Sequence, residues 1–181
     1  MLYLFGFESI GVVVSDLYFV DPEPGPGQEG AERGVRLEVR MLERGELRGS
    51  IYSAQPIAVG RPIWRGDLLE SVAGPPGSHD RTHHHPRFTG WEPGYRNFVE
   101  ELSADPLGWV AKRLEDLDGL LAEGGVSPSE IDPRDGDSLR AAVPEIVESV
   151  RKLLQGVRSG EMAKPPAESA EEVVSARVGW L

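Results

Sequence analysis

The segment Ile10–Val20 decides the fold, and it reads IGVVVSDLYFV. Most of its residues are β-branched or aromatic, the types enriched in strands, and the apolar run is too continuous for a strand with one face in water. The segment therefore predicts a central strand. Upstream, Glu8 interrupts the apolar residues. Asp16 interrupts them again within Ile10–Val20, and no lysine or arginine occurs before Arg33. We expect a further strand region there, and neither a signal peptide nor a membrane anchor.

More strand patterns follow in the N-terminal half. Residues 35–42 have apolar side chains at every second position, with Arg36, Glu38, Arg40 and Leu42 between them, which is typical of a half-buried strand. Residues 43–46 predict a hairpin turn that leads into a partner strand at 47–54. A further extended segment at 57–69 contains Pro62, which favours an edge position or a bulge. Together these segments predict an antiparallel meander of about four to six strands.

The second half of the chain predicts helices. Apolar residues recur at helical spacing over residues 95–102. Asp105-Pro106 is a typical helix start, a capping carboxylate followed by proline at the first helical position. We expect that helix to run to the glycines at 124 and 125. The longest helical periodicity spans residues 139–157 and encloses Pro144, which predicts a kink or a later start.

These patterns predict an α+β fold, with three or so helices packed on the sheet, because the strands precede the helices along the chain. We expect a single domain over residues 1–181. Its parts are a strand-rich half at 1–70, a connection rich in His, Pro and Gly at 71–93, a helical half at 94–160, and a linker with a terminal strand at 161–181 that can join the sheet.

Composition limits the classes of function. The chain contains no cysteine, which excludes disulfides, thiolate metal ligands and cysteine nucleophiles and fits a cytoplasmic protein. Its formal net charge is -11, so it repels phosphate backbones and anionic membrane surfaces. We therefore predict no nucleic-acid partner and no membrane partner. A small anionic molecule, a protein partner and a homo-oligomer all stay open.

All four histidines lie between Gly77 and Arg96, in the stretch GSHDRTHHHPRF. His85 precedes proline, which biases it towards extended backbone, so His83 and His85 are expected on one side of the chain and His84 on the other. Imidazole is the commonest side-chain ligand of transition metals. We predict a metal site at His79, His83 and His85, with zinc or iron as the candidate ion. The carboxylates considered for a third position are Asp67, Glu70, Asp80 and Glu92.

The spacing Gly77-x5-His83-x-His85 resembles the opening of the first cupin motif, where an H-x-H pair on a strand binds metal. The resemblance implies that His83 and His85 are metal ligands. It covers only residues 77–85. The glutamate of that motif follows three or four residues after the second histidine, whereas Glu92 lies seven positions beyond His85, and no histidine follows His85.

The same loop, residues 79–96, supports a second hypothesis that needs no metal. Arginine forks match carboxylates and phosphates, and aromatic rings can wall a pocket. The residues predicted to bind a small anion or an acidic partner surface are Arg81, Arg87, Trp91, Tyr95 and Arg96. Two alternatives stay open: the arginines pair with acidic helices at 95–157, or the histidines are structural in a non-enzymatic interaction or assembly module. The sequence leaves open whether the protein is an enzyme.

Overall fold

The computed structural model describes residues 1–166, so the terminal strand predicted within 161–181 lies mostly outside the described part of the chain, and its alternating residues Val174 to Trp180 lie wholly outside it. Five antiparallel strands form one sheet in the order β1-β2-β3-β4-β5. Their bounds are Leu2–Gly6, Ile10–Val20, Ala31–Arg44, Ile57–Ser71 and His83–His85. A small hairpin follows, formed by β6 at Phe88–Thr89 and β7 at Glu92–Pro93.

The helices come after the strands. They are α1 at Glu100–Ala104, α2 at Pro106–Glu115, α3 at Leu117–Gly124 and α4 at Asp135–Arg158, with a 3-10 turn at Pro128–Glu130 before α4. They pack on one face of the sheet, where alternate residues of β2 and β3, such as Val12 and Leu37, share a core with helix residues such as Ile146. The predicted α+β fold, with a meander followed by helices, is therefore confirmed.

The predicted strand at 47–54 is wrong. These residues lie in a loop, and the partner of β3 begins later, with Ile57 opposite Arg44. The loop closes where the Gly45 N–H donates to the carbonyl of Pro56 at 2.9 Å. Gly49 adopts φ +105° within it, a backbone conformation that does not continue a strand. The hairpin is therefore longer than the sequence indicated.

Pro62 lies at an irregularity of the β3–β4 ladder, as the sequence predicted. Pro62 pairs with Arg40, and the register shifts on both sides of that residue. On its other side, β4 pairs with β5 only through residues 65–67. Residue 62 therefore has no strand partner on that side, so the proline, which lacks an N–H, interrupts no ladder hydrogen bond there.

The helical predictions need two corrections. Residues 95–99 are not helical, because Asn97 forms a two-way backbone bridge with His84, at 2.9 and 3.0 Å, and α1 begins only at Glu100. The helix that starts at Asp105-Pro106 does not reach Gly124 unbroken. Asp116 ends α2 and caps α3 by accepting a hydrogen bond from the Gly119 N–H at 3.0 Å.

The loop between β2 and β3 contains the spacing G-x-G-x-x-G at residues 25–30. In dinucleotide-binding proteins such a loop joins a strand to a helix, whose N-terminus receives the phosphates. Here it joins two antiparallel strands. The spacing therefore carries no nucleotide-binding assignment.

Candidate metal site

Strand β5 divides the three consecutive histidines between the two faces of the sheet. In its antiparallel ladder with β4, His83 lies opposite Asp67, His84 opposite Gly66 and His85 opposite Arg65. All three imidazoles are buried. His83 and His85 lie with Asp67 on the face away from the helices, and His84 lies on the helix face against Trp109. The alternation expected from the sequence is therefore present.

Asp67, His83 and His85 bring three ligand atoms together. Nε2 of His83 lies 3.5 Å from Oδ2 of Asp67, and Nε2 of His85 lies 3.6 Å from the same oxygen. The three candidate ligand atoms all lie within 4.8 Å of one another. Among residues 1–166, no other group of three His, Cys, Asp or Glu side chains meets this spacing.

The other ring nitrogens fix the orientation of both imidazoles. Nδ1 of His83 lies 2.7 Å from the carbonyl oxygen of Arg81, and Nδ1 of His85 lies 2.9 Å from that of Gly94. Because a carbonyl oxygen only accepts, each Nδ1 carries the proton. In a neutral ring the lone pair is then on Nε2, the atom that faces Asp67. Metal-binding histidines are commonly held by this kind of hydrogen bond.

Arg36 holds the carboxylate from the neighbouring strand β3. Its Nε donates to Oδ1 of Asp67 at 2.7 Å, and its Nη2 donates to Oδ2 at 3.2 Å. Burial by itself raises the pKa of Asp67, but the nearby imidazole of His85 and the Arg36 guanidinium outweigh it and hold this pKa well below the usual range. Asp67 is therefore an anion at neutral pH.

Burial lowers the pKa of His83 to about 4, although Asp67 acts in the opposite direction. The imidazole of His83 is therefore neutral at physiological pH, which is the form that binds metal. The result is one carboxylate oxygen and at least one imidazole lone pair directed at the same point. These are typical ligands of zinc and of non-haem iron.

A pocket of about 260 Å³ opens beside these side chains. Besides the three candidate ligands and Arg36, its walls are formed by Phe19, Glu32, Arg65, Leu69, Pro93 and Arg96. Glu32 is only 1% exposed, and burial raises its pKa, although Arg96 partly offsets the effect. Oε1 of Glu32 accepts a hydrogen bond from Arg96 at 3.2 Å. Oε2 is buried and has no hydrogen-bond partner among the described residues.

His79, the third ligand in the sequence hypothesis, lies elsewhere. Its Nε2 is 3.0 Å from Nη2 of Arg158, and it lines a different cavity, beside α2 and the end of α4. Asp67 takes its place in the group. It was one of the carboxylates considered for that position. The sequence feature that marks it is an aspartate within a segment whose pattern predicts a buried strand.

His84 has a structural environment. Nε1 of Trp64 donates to its Nδ1 at 3.3 Å, and the side-chain amide of Asn97 lies 2.9 Å from its Nε2. Burial lowers the pKa of His84 to about 4, and the positive charge of Arg113 adds to this effect. Both ring nitrogens are engaged, so the structural interpretation of the histidines fits this residue.

Of the three arginines predicted to bind a ligand, the fold places one in the pocket and two outside it. Arg96 lines the pocket, where it pairs with Glu32 and with Asp21, both at 3.2 Å. These partners lie outside the helices, so the alternative of pairing with acidic helices does not describe this arginine. Arg81 and Arg87 instead donate to main-chain carbonyl groups outside the pocket lining.

The two predicted aromatic residues lie on the surface. Trp91 is 61% exposed and Tyr95 is 69% exposed, and neither lines the pocket beside His83. The guanidinium of Arg40 lies over the indole ring of Trp91, 4.9 Å from its centre. The sequence reasoning missed Arg36, Arg65 and Glu32, because each occurs in a strand whose partners it could not assign.

The chain matches no protein-family model, and comparisons with curated proteins and with solved structures give no significant match. In residues 1–166, no helix has both the length and the apolar character needed to cross a membrane.

Proposed function

We propose that this protein binds a divalent transition metal through Asp67, His83 and His85. The observation that carries the proposal is the orientation of the two imidazoles: each Nδ1 is committed to a backbone carbonyl, and each Nε2 faces the same carboxylate oxygen. The lone pair of the neutral His83 imidazole and the anionic oxygen of Asp67 repel one another unless a cation lies between them.

The distances favour a metal over a proton as that cation. A charge-assisted hydrogen bond from an imidazolium to a carboxylate measures about 2.7–2.9 Å. The Nε2–Oδ2 separations here are 3.5 Å for His83 and 3.6 Å for His85. Ligand atoms about 2.1 Å from a tetrahedral zinc ion lie about 3.4 Å apart, and those of an octahedral ion lie about 3.0 Å apart. Both separations are close to those between ligands of one shared metal ion, for which zinc and iron are the candidates.

Three protein ligands leave at least one coordination position for water or a ligand. The pocket beside the three residues gives that position access to a small molecule. When bound, zinc in such a site acts as a Lewis acid and lowers the pKa of bound water. The proposal therefore includes a hydrolytic or ligand-binding role, with Arg36 as the residue that orients Asp67.

Elemental analysis of protein purified without a histidine tag tests the proposal. We expect about one zinc or iron ion per chain in the wild type and a large loss in His83→Ala. His84→Gln is the matched control, since it removes a histidine from the same strand on the opposite face, and it should retain the metal. Equal metal contents in His83→Ala and the wild type would contradict the proposal.

A second candidate function is a non-enzymatic interaction module. The observation in its favour is the exposure of three aromatic residues in the segment that follows β5: Trp91, Tyr95 and Phe98 are 61%, 69% and 48% exposed. Such residues are enriched at protein interfaces. Sedimentation of the wild type and of Tyr95→Ser tests this candidate. Self-association that persists in chelator and is lost in the variant supports it, and a monomer under all conditions counts against a homo-oligomer.

A further inference from the structure

The residues that line the pocket indicate which kind of ligand it binds. This inference rests on the metal site proposed above. The volume of about 260 Å³ is below the range of pockets for drug-sized molecules, so it suits a ligand of few heavy atoms. Phe19, Leu69 and Pro93 contribute its apolar surface, and its other lining residues are charged or are candidate metal ligands.

The charges of the pocket favour an anion. Three arginines, at positions 36, 65 and 96, line it, and each already pairs with a carboxylate: Arg36 with Asp67, Arg65 with Glu38, and Arg96 with Glu32 and Asp21. A bound divalent cation therefore supplies the positive excess. Arg65 directs Nε and Nη2 to one oxygen of Glu38, both at 2.7 Å. Within the described part of the chain, Nη1 of Arg65 makes no hydrogen bond, which leaves donors that suit a carboxylate.

Glu32 adds a requirement that a simple anion does not meet. Its side chain is buried, it lines the pocket, and its Oε2 has no donor among residues 1–166. A buried acceptor without a partner costs free energy, so the pocket favours a ligand that supplies an O–H or N–H group. An ammonium group would be repelled by the arginines and the metal, and a hydroxyl group would not.

We propose that the pocket binds a small hydroxycarboxylate between the metal site and Glu32. The carboxylate meets the metal and the Arg65 guanidinium, and the hydroxyl group donates a hydrogen bond to Oε2 of Glu32. The apolar side of the pocket, with Phe19, contacts the short carbon chain. This assignment gives a partner both to Oε2 of Glu32 and to the Arg65 guanidinium.

Lactate and propionate are a matched pair of probes, because they differ only in one hydroxyl group. We first load the protein with zinc and verify the stoichiometry, and then titrate each acid by calorimetry. We expect lactate to bind roughly fivefold or more tightly than propionate, the value of one additional hydrogen bond. In Glu32→Leu this preference should disappear while zinc binding persists. Chelation of the zinc should weaken the binding of both acids.

The outcomes separate the two proposals. If no zinc binds, both the metal site and this inference fail. If zinc binds but neither acid does, or if the two acids bind equally well, the metal site stands and the hydroxycarboxylate assignment is overturned. Lactate binding that persists after chelation also overturns it. The hydroxyl group of lactate can also chelate zinc, so a Glu32 variant is needed to assign the preference to Oε2. Should Glu32→Leu fail to fold, the nearly isosteric Glu32→Met replaces it, and a lactate preference that persists in that variant overturns the assignment.

Discussion

His83 lies directly opposite Asp67 in the β4–β5 ladder, and its Nε2 is 3.5 Å from the Asp67 carboxylate. Both side chains therefore leave the sheet on the same face. His85, two residues along β5, returns to that face and meets the same oxygen at 3.6 Å. A strand of three residues thus gives two of the candidate metal ligands, and its long partner strand gives the third.

Asp67 and His79 compete for the role of third ligand, and paired variants distinguish them. We expect Asp67→Ala to weaken zinc binding by about a hundredfold or more, because removing a ligand exceeds the effect of removing an outer partner. His79→Ala should leave the affinity unchanged, since His79 contacts Arg158 in a different cavity. A chelator-competition titration measures both. Loss of zinc in His79→Ala would show that His79 belongs to the site.

Arg36→Gln should destabilise the metal-free protein, because it leaves the Asp67 carboxylate buried without its cation. The expected loss in free energy of unfolding is about 3–5 kcal/mol. Zinc should recover a large part of it, since the metal supplies positive charge at the same carboxylate. Urea unfolding in chelator and in zinc gives both values. The control is Arg61→Gln, which breaks the exposed Arg61–Glu130 pair and should cost under about 1 kcal/mol with no zinc effect.

The metal-free protein should lose stability as the pH falls from 7 to 5. The pKa of His83 and that of His84 are each lowered from 6.5 to about 4 in the folded state. Over this range the unfolded chain therefore binds protons at these residues and the folded chain does not, so the stability contribution present at pH 7 is lost on acidification. The loss is about 2 kcal/mol for each histidine.

Urea unfolding at the two pH values, in chelator, measures that loss. His84→Gln removes one of the two titrating rings, so its loss between pH 7 and 5 should be about half that of the wild type. An identical pH dependence in the variant and the wild type would mean that protonation of His84 does not contribute to the loss of stability.

Asp135 connects α4 to the turn between β1 and β2. It is fully buried and accepts hydrogen bonds from the N–H groups of Glu8 and Ser9, at 2.8 and 3.0 Å, and from the Ser9 hydroxyl. Asp135→Ala should therefore cost about 2–4 kcal/mol in the free energy of unfolding. Asp137, in the same helical turn, has a side chain that is 91% exposed. Asp137→Ala should be nearly neutral in the same thermal or urea unfolding experiment.

Sequence patterns correctly predicted those structural features that depend only on residues close together in the chain. The strand expected at Ile10–Val20 has the same bounds in the structure, and Asp105 caps α2 through the Gly108 N–H at 3.0 Å. Both features depend on residue types within a few positions. The predictions at 47–54 and 95–99 failed because distant partners decided them: β3 pairs with Ile57 onward, and Asn97 pairs with His84.

By itself, the sequence determined that His83 and His85 share one side of an extended segment and that His84 faces the other, because alternation is a property of the strand backbone. Only the tertiary structure decided that Asp67, and not His79, completes the group, and that Arg36 and Glu32 accompany it. These residues are brought together by the register of β3 and β4 and of β4 and β5. Register between strands depends on packing across the whole sheet, which no short stretch of sequence encodes.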